Sequence, residues 1–296
     1  MSTINNGAGL VVAKGLSEEW LKQIVHLAKI CEAYDEFDLS VNLNVSMLQN
    51  RQPEQTNDFL YVQDGQLVGF LGMYAIVSPK EVEISGMVHP DYRRKGIFRA
   101  LYEQAKAECE KREVTQILLV SNRKSKEASS FAECVAATYQ FSEYKLDYSA
   151  TAHVTAVESD NRLQLCPATT NDFQTLVEIG VSGFEDTAEL MTALVTRNLS
   201  EPSFQTYLAQ YESEPVGMIT VSEEDNEFFI SGFCVKKGLQ GKGLGRKILS
   251  QTVEILNQRE HIGGISLEVA VDNQNALSLY QSTGFEVVSV YDYYVG

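Results

Sequence analysis

The feature that most constrains the fold of this 296-residue chain is a single long internal repeat. Ile84-Ser85-Gly86-Met87 in the first half resembles Ile230-Ser231-Gly232-Phe233 in the second. Arg93-Arg94-Lys95-Gly96 matches Gln240-Gly241-Lys242-Gly243 in the same order, and subtracting 96 from 243 gives an offset of 147 residues. So long a period does not suit a solenoid and indicates a duplicated domain. We therefore predict two domains, residues 1–155 and residues 156–296.

Each half shows the same order of predicted elements. A helix with Ile24, Leu27 and Cys31 on one face opens the chain, and three strands, a helix, a strand and another helix follow. The strand around Ile265 and Leu267 alternates apolar and polar residues. Antiparallel strands followed by a strand–helix–strand unit predict an α+β domain with a mixed α/β sheet.

Composition narrows the class of partner. The chain has 24 Lys and Arg against 40 Asp and Glu, a formal net charge of −16. Phosphate-rich partners are bound by Lys and Arg, so this excess argues against nucleic acid and anionic membranes. It suits a cationic or neutral small substrate, although surface acidity also serves solubility alone. The sequence leaves the oligomeric state open.

Cysteine and histidine usage points to an intracellular, metal-free protein. The five cysteines are odd in number and form no C-x-x-C pair, which favours reduced thiols over a disulfide framework. The four histidines are isolated, so a His-based metal site has little support. No apolar run reaches the ~18–20 residues of a membrane helix, and the N-terminus lacks the basic start of a signal peptide. We expect a soluble, cytoplasmic protein.

The most informative segment is the glycine-rich stretch from Gln240 to Arg246. It follows an apolar strand ending at Val235 and leads directly into an amphipathic helix. Free backbone N–H groups at a helix start, with glycines that allow close approach, form a phosphate cradle. The spacing matches neither a nucleotide P-loop nor a dinucleotide-binding fingerprint. A tight turn without a ligand is the alternative.

A second motif lies downstream, where Asn273 can cap a helix and Gly284 can end it. Gln240-x-x-Gly243-x-Gly245 and Asn273-x-x-Ala276-x-x-Leu279-Tyr280-x-x-x-Gly284-Phe285 together resemble the GNAT superfamily of acyl-CoA-dependent N-acyltransferases. The resemblance covers residues 165–296 well and the first half more weakly. It implies two tandem GNAT-like domains, each a central mixed sheet flanked by helices.

The resemblance also implies a cofactor, acetyl-CoA, and a mechanism of direct attack by a primary amine of a small molecule or peptide. By this resemblance, the loop amides hold the pyrophosphate, the preceding strand holds the pantetheine arm, and Tyr280 protonates the departing thiolate. The implied cofactor-binding residues are Phe233, Cys234, Val235, Gln240, Gly241, Lys242, Gly243, Leu244, Gly245, Arg246 and Asn273. Without turnover, the same fold is a coenzyme A sensor or scaffold.

The resemblance also implies a general base for the acceptor amine. Many relatives place a carboxylate on the strand before the loop, and Glu227 is the best candidate, with Glu224 and Asp225 just before it. A charged turn at the strand entry explains Glu227 equally well. Cys234 is better explained as a strand residue than as a nucleophile, because no base lies near it in sequence.

The first half carries an altered copy of the loop. It forms a weaker candidate cofactor site, made of Val88, Arg93, Arg94, Lys95, Gly96, Ile97 and Phe98. Glu127-Ala128-Ser129-Ser130-Phe131 stands where the tyrosine helix is expected, so the acid is missing unless Tyr139 or Tyr144 replaces it. Glu81 and Glu83 offer carboxylates on the preceding strand. We expect catalysis in the C-terminal half and a structural or cofactor-binding first half.

Overall fold

The structure is a computed structural model that describes residues 9–39, 43–76, 78–150, 160–224, 226–259 and 263–296. The chain forms two compact units. The N-terminal unit consists of the chain up to Ser142 together with Ser289–Gly296, and the C-terminal unit consists of Glu143–Val288. The predicted boundary between residues 155 and 156 lies outside the described residues.

The N-terminal unit contains one mixed sheet. Its strands, in spatial order, are β1 (Gly9–Lys14), β2 (Thr56–Gln63), β3 (Gln66–Tyr74), β4 (Glu81–Val88), β5 (Gln116–Asn122), the end of β12 (Phe285–Val295) and the start of β6 (Thr138–Tyr148). Its described helices are α1 (Glu18–Asp35), α2 (Val45–Gln49), α3 (Ile97–Lys111) and α4 (Lys126–Cys134). β4 and β5 run parallel, whereas β1–β2, β2–β3, β3–β4 and β5–β12 are antiparallel.

The C-terminal unit repeats this plan. Its strands, in spatial order, are the start of β12, the end of β6, β11 (Gly264–Ala270), β10 (Glu227–Val235), β9 (Glu214–Glu224), β8 (Phe204–Tyr211) and β7 (Leu163–Pro167). Its described helices are α5 (Phe173–Phe184), α6 (Ala188–Ser200), α7 (Leu244–Asn257) and α8 (Gln274–Ser282). The parallel pair is β10–β11. The predicted α+β fold with a mixed sheet in each half is confirmed.

Helix α1 shows how the sequence pattern produces the packing. The side chain of Ser17 accepts a hydrogen bond from the backbone N–H of Trp20 and so caps the first turn. Ile24, Leu27 and Cys31 are at most 1% exposed and pack against the sheet. The apolar face predicted from the spacing is therefore the buried face.

In each unit, the two parallel strands stop pairing before either strand ends. β4 and β5 pair from Glu81 with Gln116 to Ile84 with Leu119, although both strands continue further. The C-terminal unit shows the same limit, because β10 and β11 pair only as far as Ile230 with Leu267. A V-shaped opening between two parallel strands therefore faces the glycine loop in each unit.

The strand beside this opening comes from an unexpected part of the chain. In the N-terminal unit, Tyr294 of β12 pairs with Leu119 of β5. In the C-terminal unit, Leu146 of β6 pairs with Leu267 of β11. Each unit is thus completed by residues from the other half of the sequence, which a simple duplication does not predict.

Candidate functional site

The two glycine-containing loops, residues 93–98 and 240–245, have the same backbone conformation. Gly96 has φ 79° and ψ 3°, and Gly243 has φ 80° and ψ −4°. Two positions earlier, Arg94 has φ 61° and Gly241 has φ 74°. Alternating left-handed residues turn successive backbone N–H groups towards one side, which creates an anion-binding concavity. The N-terminal loop keeps this shape although arginine replaces one glycine.

Side chains fix both loops at equivalent atoms. Arg93 Nε donates to the carbonyl oxygen of Val88 at 2.9 Å, and Gln240 Nε2 donates to that of Val235 at 3.0 Å. Both acceptors are the last residues of their strands. The first loop residue therefore ties its loop to the strand end in each unit.

A lysine closes each loop in the same way. Lys95 Nζ donates to the carbonyl oxygen of Asp91 at 2.9 Å, and Lys242 Nζ donates to that of Gly238 at 3.0 Å. Because Lys95 and Lys242 are both exposed, their charge still faces solvent at the loop.

Both loops have room for an anion. Gly96 and Gly243 are the N-caps of α3 and α7, neither with a side-chain cap, so the first amides of each helix have no intrahelical partner. A Cβ built on either glycine meets no atom within 4 Å. Helix amides that face open space bind phosphate well. In the N-terminal loop, exposed Arg94 and Lys95 add positive charge.

The space beyond the loop differs between the units. In the N-terminal unit, a cavity of about 470 Å³ lies between the diverging ends of β4 and β5 and extends to α1, α3 and α4. Gly86 and Val88 of β4, Ser121 of β5 and Ala132 of α4 are part of its wall, together with Tyr294 of β12. The N-terminal loop therefore opens into a cavity between the two parallel strands.

In the C-terminal unit, two aromatic rings and a leucine lie at the corresponding place. The rings of Phe233 and Tyr280 are 6.4 Å apart, and Tyr280 is only 8% exposed. A Cβ on Gly245 would lie 3.3 Å from Leu279 Cδ2 and 3.8 Å from Phe233 Cζ. Phe233, Leu279 and Tyr280 thus close over the start of α7.

Equivalent helices explain the contrast. α4 and α8 have nine residues each, and Ala132 is seventh in α4 as Tyr280 is in α8. The N-terminal helix therefore carries a methyl group where the C-terminal helix carries a phenol ring. The ring of Phe98 packs edge-on against Phe131 at a centroid distance of 4.7 Å, and both side chains are part of the cavity wall.

The structure brings part of the C-terminal candidate set together. Asn273 caps α8 through a hydrogen bond from Ala276 N to its Oδ1, 3.1 Å long. Burial raises the pKa of Tyr280 to about 12, so its hydroxyl is protonated near neutral pH. Leu244 is 7% exposed and packs in the core, which leaves only its backbone facing the loop. Arg246 Nε is buried without a hydrogen bond among the described residues.

Cys234 behaves as a strand residue. It is 7% exposed, and its Sγ lies 3.7 Å from the carbonyl oxygen of Ile179. Burial raises the pKa of its thiol to about 12, which keeps the sulfur protonated.

The structure does not bring Glu227 to the loop. Glu227 is the first residue of β10 and Phe233 is the seventh, so about 20 Å of strand separates them. Its carboxylate oxygens lie 2.6 Å from the positions of Cβ atoms built on Gly263 and Gly264. A polar hollow of about 580 Å³, partly lined by Asn226 and Phe228, lies at this end of the strand. Asp225 and the side chain of Glu224 fall outside the described residues.

The tyrosines predicted as substitutes in the first half do not line the N-terminal cavity. Tyr139 is 56% exposed and its hydroxyl bonds Ser142 at 2.8 Å, whereas Tyr144 pairs with Val269 in the C-terminal unit. Glu81 and Glu83 lie in the paired part of β4, before the opening. Tyr294 does line the cavity, but sequence reasoning missed it because its strand comes from the other end of the chain.

Two other kinds of site find no support in the described part of the chain. None of the described His, Cys, Asp and Glu side chains forms a group of three or more that could hold a metal ion. The helices within the same residue ranges are all too short or too polar to span a membrane.

Comparison with known protein families finds the same family in both halves of the chain. The Acetyltransferase (GNAT) family model matches residues 21–130 and 173–285, one region in each half. The chain therefore belongs to the GNAT acetyltransferase family and carries two GNAT domains in tandem. The first half, which the sequence motifs linked to the family only weakly, is matched over most of its length.

Curated relatives match short stretches. A probable spermine N(1)-acetyltransferase of Bacillus subtilis subsp. natto is 33% identical over 73 residues, which are 24% of this chain and 48% of the relative. An uncharacterized protein of Mycobacterium leprae is 33% identical over 64 residues, or 22% of this chain and 17% of that protein. The chain thus spans less than half the length of either relative.

Solved structures match the whole chain in fold. A GCN5-related N-acetyltransferase from Sphaerobacter thermophilus has a TM-score of 0.78 at 16% identity, covering 97% of this chain and 95% of that one. A tandem GNAT protein from the clavulanic acid biosynthesis pathway has a TM-score of 0.72 at 17% identity, covering 98% of both chains. Identities this low establish a shared fold alone.

Proposed function

We propose that this protein transfers an acetyl group from acetyl-CoA to a primary amine and that the N-terminal unit holds the acetyl-CoA. The observation that carries the proposal is the contrast between the units. Both have the glycine loop with free helix amides, but a cavity of about 470 Å³ continues from the N-terminal loop, whereas Phe233, Leu279 and Tyr280 lie together beside the start of α7 in the other unit. The proposal reverses the sequence-based expectation of C-terminal chemistry.

The residues of the N-terminal unit suit the parts of acetyl-CoA. The amides at the start of α3, with Arg94 and Lys95 beside them, suit the pyrophosphate. The cavity between β4 and β5, walled largely by apolar side chains such as Ile84 and Val88, suits the pantetheine arm. When bound, acetyl-CoA supplies an acetyl group activated as a thioester.

The chain's own residues would position and polarise this group. β4 continues past its last pairing with β5 at Ile84, which leaves main-chain groups at the edge of the opening. Backbone N–H donors of this kind stabilise the negative charge that develops on an acyl oxygen. The apolar walls exclude water that would otherwise compete with the amine.

An amine acceptor agrees with the charge of the chain. A net charge of −16 attracts cationic molecules at low salt. The relative named as a probable spermine acetyltransferase supports a small cationic amine, although it matches only 24% of the chain. We propose the cytoplasm as the compartment, because all five cysteines are free thiols.

A second candidate is acetyl transfer in the C-terminal unit, as the sequence motifs predicted. Its supporting observation is Tyr280, a protonated phenol on the expected helix beside the complete glycine loop. A third is coenzyme A binding without turnover, as a sensor or scaffold. Coenzyme A release with a panel of amines distinguishes both enzymatic candidates from the sensor.

Matched loop variants test which unit is active. Gly96→Glu and Gly243→Glu each place an anion where the pyrophosphate is proposed to bind. Gly96→Ala and Gly243→Ala serve as controls, because they impose the same left-handed strain without the charge. We expect Gly96→Glu to abolish acetyl-CoA binding by calorimetry and turnover with it, whereas Gly243→Glu retains both.

The same experiment can overturn the proposal. If folded Gly96→Glu binds and turns over acetyl-CoA like Gly96→Ala, the N-terminal cavity is not the site. Loss of turnover in Gly243→Glu alone assigns the chemistry to the C-terminal unit. Circular dichroism and thermal melts of all four variants provide the folding control.

A further inference from the structure

The two units carry phenol and aliphatic side chains in exchanged positions around the strand opening. In the C-terminal unit, α8 supplies Tyr280, and β6 supplies Leu146 opposite Leu267. In the N-terminal unit, α4 supplies Ala132, and β12 supplies Tyr294 opposite the equivalent Leu119. The phenol therefore lies on the helix in the C-terminal unit and on the neighbouring strand in the N-terminal unit.

Tyr294 is placed to use the space that Ala132 leaves. Leu119, its partner on β5, is the last residue of that strand paired with β4, so Tyr294 lies next to the point where the strands part. Tyr294, Leu119 and Ala132 all line the same cavity. The ring of Tyr294 is held edge-on by Tyr139 at a centroid distance of 6.0 Å.

We infer that Tyr294 is the proton donor to the coenzyme A thiolate in the N-terminal unit. This role rests on the proposed function, because it requires acetyl-CoA in the N-terminal cavity. The phenol of Tyr294 lies beside the opening, and α4 carries an alanine rather than a phenol at its seventh position.

The proposed step transfers the acetyl group to nitrogen and one proton to sulfur. The acceptor nitrogen forms a bond to the acyl carbon, and the carbon–sulfur bond breaks with its electron pair remaining on sulfur. The Tyr294 hydroxyl transfers its proton to that sulfur, giving the free thiol. The proton that the nitrogen loses on becoming an amide returns, through solvent, to the phenolate.

The surroundings keep Tyr294 protonated before the step. Partial burial raises its pKa above the ordinary value, and the charge of Asp292 acts in the same direction. Tyr139 and Glu133 also raise the pKa, whereas Arg123 lowers it. Arg123 is bonded to Asp292, with Nη2–Oδ1 at 2.6 Å, which reduces its effect on the phenol.

A binding comparison tests the contact without turnover. Coenzyme A and desulfo-coenzyme A differ only in the sulfur, so their affinity ratio isolates what the sulfur contacts. If the Tyr294 hydroxyl donates one hydrogen bond to the sulfur, the parent protein should bind coenzyme A about 2–10-fold more tightly than desulfo-coenzyme A. In Tyr294→Phe, which keeps the ring and removes the hydroxyl, this ratio should fall towards one.

Turnover provides the second readout. General acid catalysis supplies about 10²–10⁴-fold, so the single-turnover rate of Tyr294→Phe should fall by at least about tenfold. The matched control is Tyr293→Phe on the same strand, whose ring stacks on Phe141 at 4.3 Å and is absent from the cavity wall. We expect this control to keep both the affinity ratio and the rate of the parent.

Tyr294→Phe overturns the inference if it retains both the parent's affinity ratio and its single-turnover rate. The inference also fails if Tyr293→Phe and Tyr294→Phe lose the same amount of activity while both keep the parent's ratio of affinities for coenzyme A and desulfo-coenzyme A. Failure of the proposed function looks different, because folded Gly96→Glu would then still bind coenzyme A. The two ideas are therefore tested separately.

Discussion

Arg93 and Asp35 form a two-pronged ion pair that joins the N-terminal loop to α1. Nη1 lies 2.7 Å from Oδ1 and Nη2 lies 2.6 Å from Oδ2, and both side chains are largely buried. Because its Nε also bonds Val88, Arg93 is committed to holding the loop. The positive charge available to a phosphate therefore comes mainly from Arg94 and Lys95. From the sequence alone, Arg93 was an equal candidate for binding the cofactor.

The ion pair gives a first prediction. Asp35→Ala leaves a partly buried guanidinium without its carboxylate, so the free energy of unfolding should fall by about 1.5–3 kcal/mol. A looser loop should also weaken acetyl-CoA binding in calorimetry. Asp91→Ala is the control, because Asp91 lies near the same loop with its side chain 85% exposed. Equal stability of both variants in urea denaturation would contradict the role assigned to Asp35.

A second prediction concerns Cys134, which is exposed, contacts Arg99 and lines the N-terminal cavity. Iodoacetamide at mildly alkaline pH should alkylate Cys134 first, because burial raises the pKa of Cys31 and Cys109 to about 11. Coenzyme A should slow this reaction. Peptide mass spectrometry gives the rate at each cysteine.

Cys166 is the internal control for this labelling experiment. It lies half-buried on β7 of the C-terminal unit, and its alkylation should not respond to coenzyme A. An unchanged rate at Cys134 under saturating coenzyme A would place the cofactor outside the N-terminal cavity.

A third prediction concerns the buried pair of Arg51 and Asp58. Their side chains are 5% and 0% exposed, with Nη2 2.8 Å from Oδ1. Removing one partner of such a pair leaves an uncompensated charge, so Arg51→Met should lower the free energy of unfolding by about 3–5 kcal/mol near neutral pH. Thermal or urea unfolding measures this loss.

The pH dependence of this variant has a definite sign. Burial raises the pKa of Asp58, and Arg51 opposes the effect. Without Arg51 the folded-state pKa rises further above the unfolded-state value, so the folded protein binds the proton more tightly. Arg51→Met should regain stability relative to the parent as the pH falls through the raised pKa. Adding Asp58→Asn should remove this pH dependence, and its persistence would assign the effect to another group.

A fourth prediction separates the two units by their tyrosines. If chemistry lies in the N-terminal cavity, Tyr280→Phe should change turnover by less than about twofold, well below the ~10²–10⁴-fold of a general acid. Its packing between Phe233 and Phe285 stays, because the ring remains. Steady-state kinetics with the best amine of the panel gives the comparison. A tenfold or greater loss with intact folding would return the acid role to Tyr280.

Local sequence patterns predicted much of this protein. Asn273 caps the helix that it was expected to cap, and the apolar spacing of α1 gives its buried face. Gly96 and Gly243 stand where a left-handed residue begins a helix, which follows from short-range geometry. These features depend on residues within one or two turns of each other, so the sequence alone suffices.

The position of Glu227 was also within reach of local reasoning. A strand advances about 3.3 Å per residue, so a residue six positions before Phe233 lies far from the loop. A general base must lie near the acyl group rather than near the loop, so the assignment of Glu227 as the base stays a prediction.

The sequence by itself therefore determined the repeat, the two loops, the mixed-sheet fold and the family. Only the tertiary structure showed that the N-terminal loop opens into a cavity, because the walls of that cavity come from segments far apart in sequence, among them Ala132 of α4 and Tyr294 of β12. It likewise decided that Tyr294, near the C-terminus, lines the cavity beside β5. Strand partners are chosen by burial and by hydrogen bonding over the whole sheet, and the internal repeat does not encode that choice.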